Sequence, residues 1–358
     1  MHSLVRYLEY ALLARRPSIT QRSALALTRL LRPGVLETRQ TLREHMAGRL
    51  RVSVRAYNDD DLDQYRRLTY GDWWMRQGLI VALGQAGYIV TDCDPDVLIH
   101  LHGRPIPLPP RAVKVLWAHD NPDRLTPAFL GRYDHVFCAS DALAARLRAM
   151  GCPATGLSLA TALTPRVVPM RHQVVFVGNA RPAGTRPVID DLGTSNFDLK
   201  VWGGRFRGLP PGIWMGDYVE YHDLPEVYGA SLISLNDHYP AMIDSGIVSP
   251  RVYDILASGG FCISDANPGL TEIFGDAVPQ YRTPDELRSL VHHYLANPPA
   301  RLPLMAKGQA IARRYSWADR ARSLMDPVAE GLRQRVLRPR PRAHEAASVD
   351  RDGTDPRE

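Results

Sequence analysis

Short runs of β-branched and aromatic residues, with helical stretches among them, recur along this chain in two successive series. In the first series RVSVRAY (51–57), YIVTD (88–92), DVLIHLHG (96–103), VKVLWAHD (113–120) and DHVFCAS (134–140) read as strands. WWMRQGLIVALGQAG (73–87) and DALAARLRAMG (141–151) read as helices, the second capped by Ser140 and stopped by Gly151. After a break near 165–172, around Pro165 and Pro169, the pattern restarts. QVVFVGNA (173–180), FDLKVWG (197–203), ASLISLND (230–237) and FCISD (261–265) are predicted strands, and RVYDILASG (251–259) a helix. Further helices are predicted over 284–297, 302–314 and 316–336, the last despite Pro327. Short hydrophobic strands interspersed with helices indicate a parallel sheet covered on both faces. The chain is therefore expected to form two α/β domains, 49–168 and 169–325. A helical segment at 1–48, a helix at 326–336 and a tail at 337–358 without core-forming pattern complete it.

Composition narrows the class. With 358 residues, 45% hydrophobic and 23% charged, the chain can bury two cores and is not disordered as a whole. The net charge of +6 is modest and is carried almost entirely by arginine. Basic residues alternate with acids, and the aromatics form no stacking platform, so no nucleic-acid partner is expected. Cys93, Cys138, Cys152 and Cys262 are too scattered for a disulfide framework or a metal site. No apolar run is long enough to span a membrane, and a cytoplasmic location is expected. The predicted helix 3–16, with Arg6, Arg15 and Arg16, would allow peripheral contact with the inner membrane face.

In open parallel sheets ligands bind beyond the carboxyl ends of the strands. That rule selects Asp72, His102, the His119-Asp120 pair and Ser140 in the first half. In the second half it selects Gly178, Asn179, Arg181, the Trp202-Gly203-Gly204 turn, the Asn236-Asp237-His238 run, and the stretch from Asp265 to Glu272. FVGNARP is neither a dinucleotide fingerprint nor a Walker loop, and DCDPD (92–96) precedes a strand and reads as a turn. No metal site is expected. The sharpest signal lies in 235–276. There the helix starting near Arg251 would aim N–H groups and a guanidinium at an anion, and Asp254, one turn on, would suit a ribose diol. Pro268-Gly269 is expected to add an exposed backbone turn at the same sheet edge.

LNDHYPAM, SPRVYDILASGG, FCISDANPGLTEIFGD, YRTPDEL (281–287) and RRYSWADRA (313–321) resemble the CgeB-like branch of the two-domain GT-B glycosyltransferases. The likeness covers about 173–325 and extends more weakly over 50–165. It implies two Rossmann-like domains facing across a cleft, and sugar transfer from a nucleoside diphosphate sugar to a glycan or small-molecule acceptor without a metal cofactor. It also implies that Asp254 holds the ribose and that Glu272 orients the turn at Gly269 or touches the ribose. In the related retaining enzymes a Glu-x7-Glu pattern enters this helix; here the first carboxylate falls at Gly246, with Asp244 the nearest acid. That departure leaves the sugar-holding role open to Asn236-Asp237-His238.

Negative charge on the departing diphosphate would be met by Arg251 and Arg181, with Gly178 and Asn179 giving close approach. A retaining reaction would let the leaving phosphate take the acceptor proton. An inverting one needs a base among Asp72, His102, His119 and Asp120. A nucleotide-sugar epimerase or hydrolase, or a non-catalytic nucleotide-sugar-binding protein, is the alternative on the same plan.

Overall fold

The structure, a computed structural model, describes residues 50–56, 71–194 and 197–337. The helical segment expected at 1–48 and the tail expected beyond 337 fall outside them.

Two six-stranded sheets carry the fold, and every strand pair in both is parallel. The first contains β1 (Arg51–Arg55), β2 (Ile89–Val90), β3 (Val97–Leu101), β4 (Val113–Ala118), β5 (His135–Cys138) and β6 (Thr155–Gly156), in the order β2-β1-β3-β4-β5-β6. The second contains β7 (His172–Val177), β8 (Leu199–Trp202), β9 (Trp214–Gly216), β10 (Ser231–Asn236), β11 (Cys262–Asp265) and β12 (Gln280–Tyr281), in the order β12-β11-β10-β7-β8-β9. The second order is that of a Rossmann sheet, with its switch point between β7 and β10; the first switches between β1 and β3. Crevices at switch points are where such sheets hold ligands. All of β3 is buried, as a central strand covered on both faces must be. The expected pair of α/β domains with parallel sheets is thus present.

Local chemistry sets the boundaries. Ser140 caps the helix Asp141–Ala149 by accepting the Leu143 N–H at 3.3 Å, and Gly151 follows at φ 79°. Burial of Cys138 and Cys262 pushes both thiols up, and both are free. Short elements such as β6, β9 and β12 carry too few residues for a periodic signal.

The last described helix crosses back to the first sheet. The helix Trp317–Leu337 packs along the helix Gly71–Gln85, and the Trp317 ring lies edge-on to Trp117, 6.2 Å between centroids. A Cβ at Gly78 would sit 2.5 Å from Trp317 Nε1. Gly78→Val should therefore displace the tryptophan and cost about 1–3 kcal/mol, the usual range for overpacking. An unchanged melting temperature would show that this contact gives way without strain.

Candidate functional site

Between the sheets lies a cavity of about 190 Å³ lined from both halves of the chain. Trp74 and Met75 come from the first-domain helix, Ala160 from the crossover, and Trp317 from the returning helix. The second domain contributes Gly178-Asn179 after β7, Trp202-Gly203 at the end of β8, Asp217, Tyr218 and Tyr221, and the helix start at Ser249, Pro250, Arg251 and Asp254.

Arg251 forms the floor at the switch point. Its Nε donates to the Val177 carbonyl at 2.6 Å and its Nη1 to Asn236 Oδ1 at 2.7 Å, with the guanidinium 4.8 Å above the Phe176 ring. Its Nη2 lies against Gly178, where any Cβ would collide with it. Asn236 is itself held by donating to Ser264 Oγ at 2.8 Å. The arginine is thus fixed in advance beneath the β7 turn, with little rotamer freedom left to lose on meeting an anion.

His238 supports this floor without reaching the cavity. The Ser249 N–H donates to its Nε2 at 3.0 Å, so Nδ1 carries the proton and donates to Asp265 Oδ1 at 2.6 Å. It therefore anchors the start of the helix Pro250–Ala257. Asp237, also outside the cavity lining, is buried between two guanidiniums. Arg181 Nη2 donates to its Oδ2 at 3.1 Å, and Arg186 Nη2 to its Oδ1. Arg181 further donates to the His238 carbonyl at 2.5 Å and stacks 4.6 Å over Tyr239. Burial, and then the charge of Arg251, push Arg186 down to about 10.

Asp254 lines the cavity. Its Oδ1 accepts from Thr161 Oγ1 at 2.6 Å and from the Tyr221 hydroxyl at 3.1 Å. Burial pushes its carboxyl up to about 7 against those two hydrogen bonds and the Arg251 charge.

At the tips of β3 and β4 the first-domain candidates come together. His119 Nε2 lies 2.9 Å from Asp72 Oδ1, and His102 Nε2 lies 3.4 Å from Asp120 Oδ2 and 3.7 Å from Asp72 Oδ2. The two imidazoles meet edge-on at 5.4 Å. Burial pushes the Asp72 carboxyl up, but the His119 hydrogen bond and the charges of His119, His102 and Arg104 outweigh it and bring it to about 2. His119 is raised in turn, its burial overcome by the bond and charge of Asp72. Asp120 is lowered, burial again being outweighed, here by His102. Asp120 also accepts the Asn121 N–H at 2.7 Å, so it serves as a local cap as well as a partner of His102. His102 adopts φ 92°, a conformation that costs a β-carbon residue energy and that clusters at functional sites. None of these four side chains lines the cavity itself, but Gly71, just before Asp72, does. The turn Pro122–Arg124 packs on the second-domain helix Pro240–Asp244, which brings this cluster to the domain boundary.

Two expectations need correction. Gly269 is not an exposed turn: it is buried, and a Cβ there would collide with the Gly246 carbonyl. Glu272 is exposed on the helix Pro268–Phe274 and does not line the cavity. At Gly246, where the resemblance would put a first carboxylate, a Cβ would stand 3.1 Å from Ser140 Oγ, and Asp244 is exposed. Arg186, Trp74, Thr161, Tyr218 and Tyr221 were not singled out by sequence.

Residues 181–326 match the family model described as glycosyl transferase-like. No curated protein matches the chain in sequence. Among solved structures, sucrose-phosphate synthase from Thermosynechococcus elongatus is 14% identical, with TM-score 0.59, over 80% of this chain and 100% of that one. A β-glucosyltransferase of T4 phage in complex with UDP-glucose is 11% identical, TM-score 0.54, over 79% and 99%. An α-glucosyltransferase solved with UDP and a 13-mer DNA containing an HMU base is 9% identical, TM-score 0.55, over 79% and 100%. At these identities the likeness establishes the fold: the chain has the GT-B architecture of two Rossmann-like domains. Another structure of the same fold is described as a DNA-modifying β-glucosyltransferase. The exclusion of nucleic acid drawn from charge distribution is therefore withdrawn.

Among the described residues, no group of three or more His, Cys, Asp or Glu side chains could hold a metal ion. Nor is any described helix long and apolar enough to cross a membrane.

Proposed function

We propose that the protein is a glycosyltransferase that moves a sugar from a nucleoside diphosphate sugar to an acceptor hydroxyl, and that it belongs to the CgeB-like branch. The observation that carries this reading is Arg251, pinned under Gly178 at the Rossmann switch point with Asp254 one turn away in the same cavity. The diphosphate would lie against Arg251 and the Gly178-Asn179 backbone, and the ribose against Asp254. As the glycosidic bond breaks, charge grows on the diphosphate, and a donor already fixed in place stabilises it without reorganisation. The Arg181–Asp237–Arg186 cluster would add positive potential behind the β7 turn. The Asp72, His102, His119 and Asp120 cluster would face the transferred sugar and the acceptor.

Arg251→Ala is expected to weaken nucleoside diphosphate binding roughly tenfold or more, the worth of a charge-assisted hydrogen bond, while nucleoside binding stays close to the parent. Unchanged diphosphate affinity in calorimetry would remove Arg251 from the site. Because guanidinium and backbone groups are assigned the diphosphate charge, transfer is expected to proceed without a metal and to survive EDTA. Activity lost to EDTA and restored only by Mn²⁺ or Mg²⁺ would overturn that part of the reading.

A further inference from the structure

Tyr221 belongs to neither the predicted strand tips nor the glycosyltransferase-like motifs, yet three parts of the molecule meet on it. Its hydroxyl bonds to Asp254 Oδ1 at 3.1 Å. The crossover residue Thr161 bonds to that same oxygen at 2.6 Å. Its ring stacks on Trp74 of the first-domain helix, with centroids 5.0 Å apart and planes 15° from parallel. The His222 ring closes edge-on against Trp74 at 5.6 Å. Both Trp74 and Tyr221 line the cavity.

We propose that Tyr221 is the positioning residue for the Asp254 carboxylate, and that its stack on Trp74 makes ribose recognition a property of both domains. This rests on the reading of Asp254 as the ribose ligand. Two donors converge on Oδ1 and fix the carboxylate plane, which leaves Oδ2 to accept from a ribose hydroxyl. Burial, and then the neighbouring Asp254 charge, push the Tyr221 phenol up, so it remains a donor at neutral pH. Tyr221 has little freedom of its own, because the turn Tyr221–Asp223 leads directly into the helix Leu224–Gly229 while the indole covers one ring face. A carboxylate held in one orientation recognises a diol at lower entropic cost than one free to rotate. Since the indole belongs to the other domain, the rotation of one domain against the other that separates the rings would also release the carboxylate. Nucleoside affinity is thereby linked to the closed arrangement of the cleft.

The test compares uridine and guanosine diphosphates with their 2′,3′-dideoxy forms, by calorimetry, on the full chain and on Tyr221→Phe, Trp74→Leu, Trp74→Phe and Asp254→Asn, with a melting temperature for each. Tyr221→Phe keeps the stack and removes the donor. At about pH 8, where the Asp254 carboxyl is ionised, it is expected to weaken the ribonucleotide roughly tenfold, as for a hydrogen bond to a charged group, and to leave the dideoxy form unaffected. Trp74→Leu is expected to act in the same selective way, and Trp74→Phe to restore most of the affinity. Loss of ribonucleotide and dideoxy binding alike in Tyr221→Phe would mean general damage to the cavity and would overturn the proposal. So would a preference for the ribonucleotide that Asp254→Asn abolishes but Tyr221→Phe leaves intact. A parent protein that binds both forms equally, or neither, would instead overturn the ribose reading of Asp254 on which the proposal stands.

Discussion

Asp120→Asn is expected to lower kcat by about 10²-fold or more, the range for loss of a positioned acid–base group, with donor affinity near the parent value. Within the first-domain cluster Asp120 is the group best placed to touch an acceptor. Its side chain is 38% exposed, against 17% for Asp72 and 5% for His119. His102 beside it holds the carboxylate ionised, and the Asp72–His119 pair lies behind. Asn keeps the cap on the Asn121 N–H through its carbonyl oxygen, so the fold should tolerate the change. His119 calls for a different variant. His119→Ala would remove the closest partner of the buried Asp72 carboxylate, leaving it to His102 at 3.7 Å and to the charge of Arg104, and the resulting loss of stability would obscure any kinetic effect. His119→Gln retains a donor towards Asp72 and is expected to slow the reaction less than Asp120→Asn. Near-normal kcat in Asp120→Asn would assign the acceptor proton to the departing diphosphate and leave the cluster a structural role.

Asp254→Asn is expected to stabilise the protein and to weaken its hold on the nucleotide. Burial raises the Asp254 carboxyl from 3.8 to about 7. A raised acid favours the protonated form in the folded state, so its stabilising contribution is complete below about pH 4 and is lost as pH climbs towards 7. Above that the fold carries a buried carboxylate, and at 1.36 kcal/mol per unit the shift bounds the penalty at roughly 4 kcal/mol. Asparagine presents the same Oδ1 to Thr161 and Tyr221 without the charge. The melting temperature of Asp254→Asn should therefore exceed that of the parent at about pH 8, and the gap should close towards pH 4. Nucleoside diphosphate affinity should fall roughly tenfold or more, because an ionised acceptor to the ribose is lost. A residue kept for stability would behave in the opposite way. A variant less stable at pH 8, with unchanged affinity, would show that Asp254 only ties the crossover to the second domain.

Much of the architecture is legible in the sequence. The strands at 97–101, 113–118, 172–177 and 231–236 are central, and each is a short run rich in hydrophobic residues, which is the signal that identifies them. What periodicity could not supply was strand order, and with it the switch point that places Arg251 under Gly178. The same limit applies to the site. Arg251 and Asp254 stood out because they occupy one helix turn in a motif-bearing segment. Tyr221, Thr161 and Trp74 are linked only through tertiary contacts on three different elements, which no local spacing encodes. Glu272 shows the reverse error: adjacency in sequence to a glycine turn suggested a role, but the helix Pro268–Phe274 leaves it exposed. Gly269 was misread because a glycine before a helix looks like a turn, whereas here its missing side chain admits the Gly246 carbonyl.

The central claim is that the cleft binds a nucleoside diphosphate sugar through Arg251. The most direct measurement is calorimetric titration of the full chain and of Arg251→Ala with a panel of nucleoside diphosphate sugars, each checked for release of nucleoside diphosphate on addition of acceptor. At least one donor is expected to bind the parent, to bind Arg251→Ala roughly tenfold or more weakly, and to yield free nucleoside diphosphate only when an acceptor is present. Binding of no donor, or equal binding by both proteins, would contradict the account.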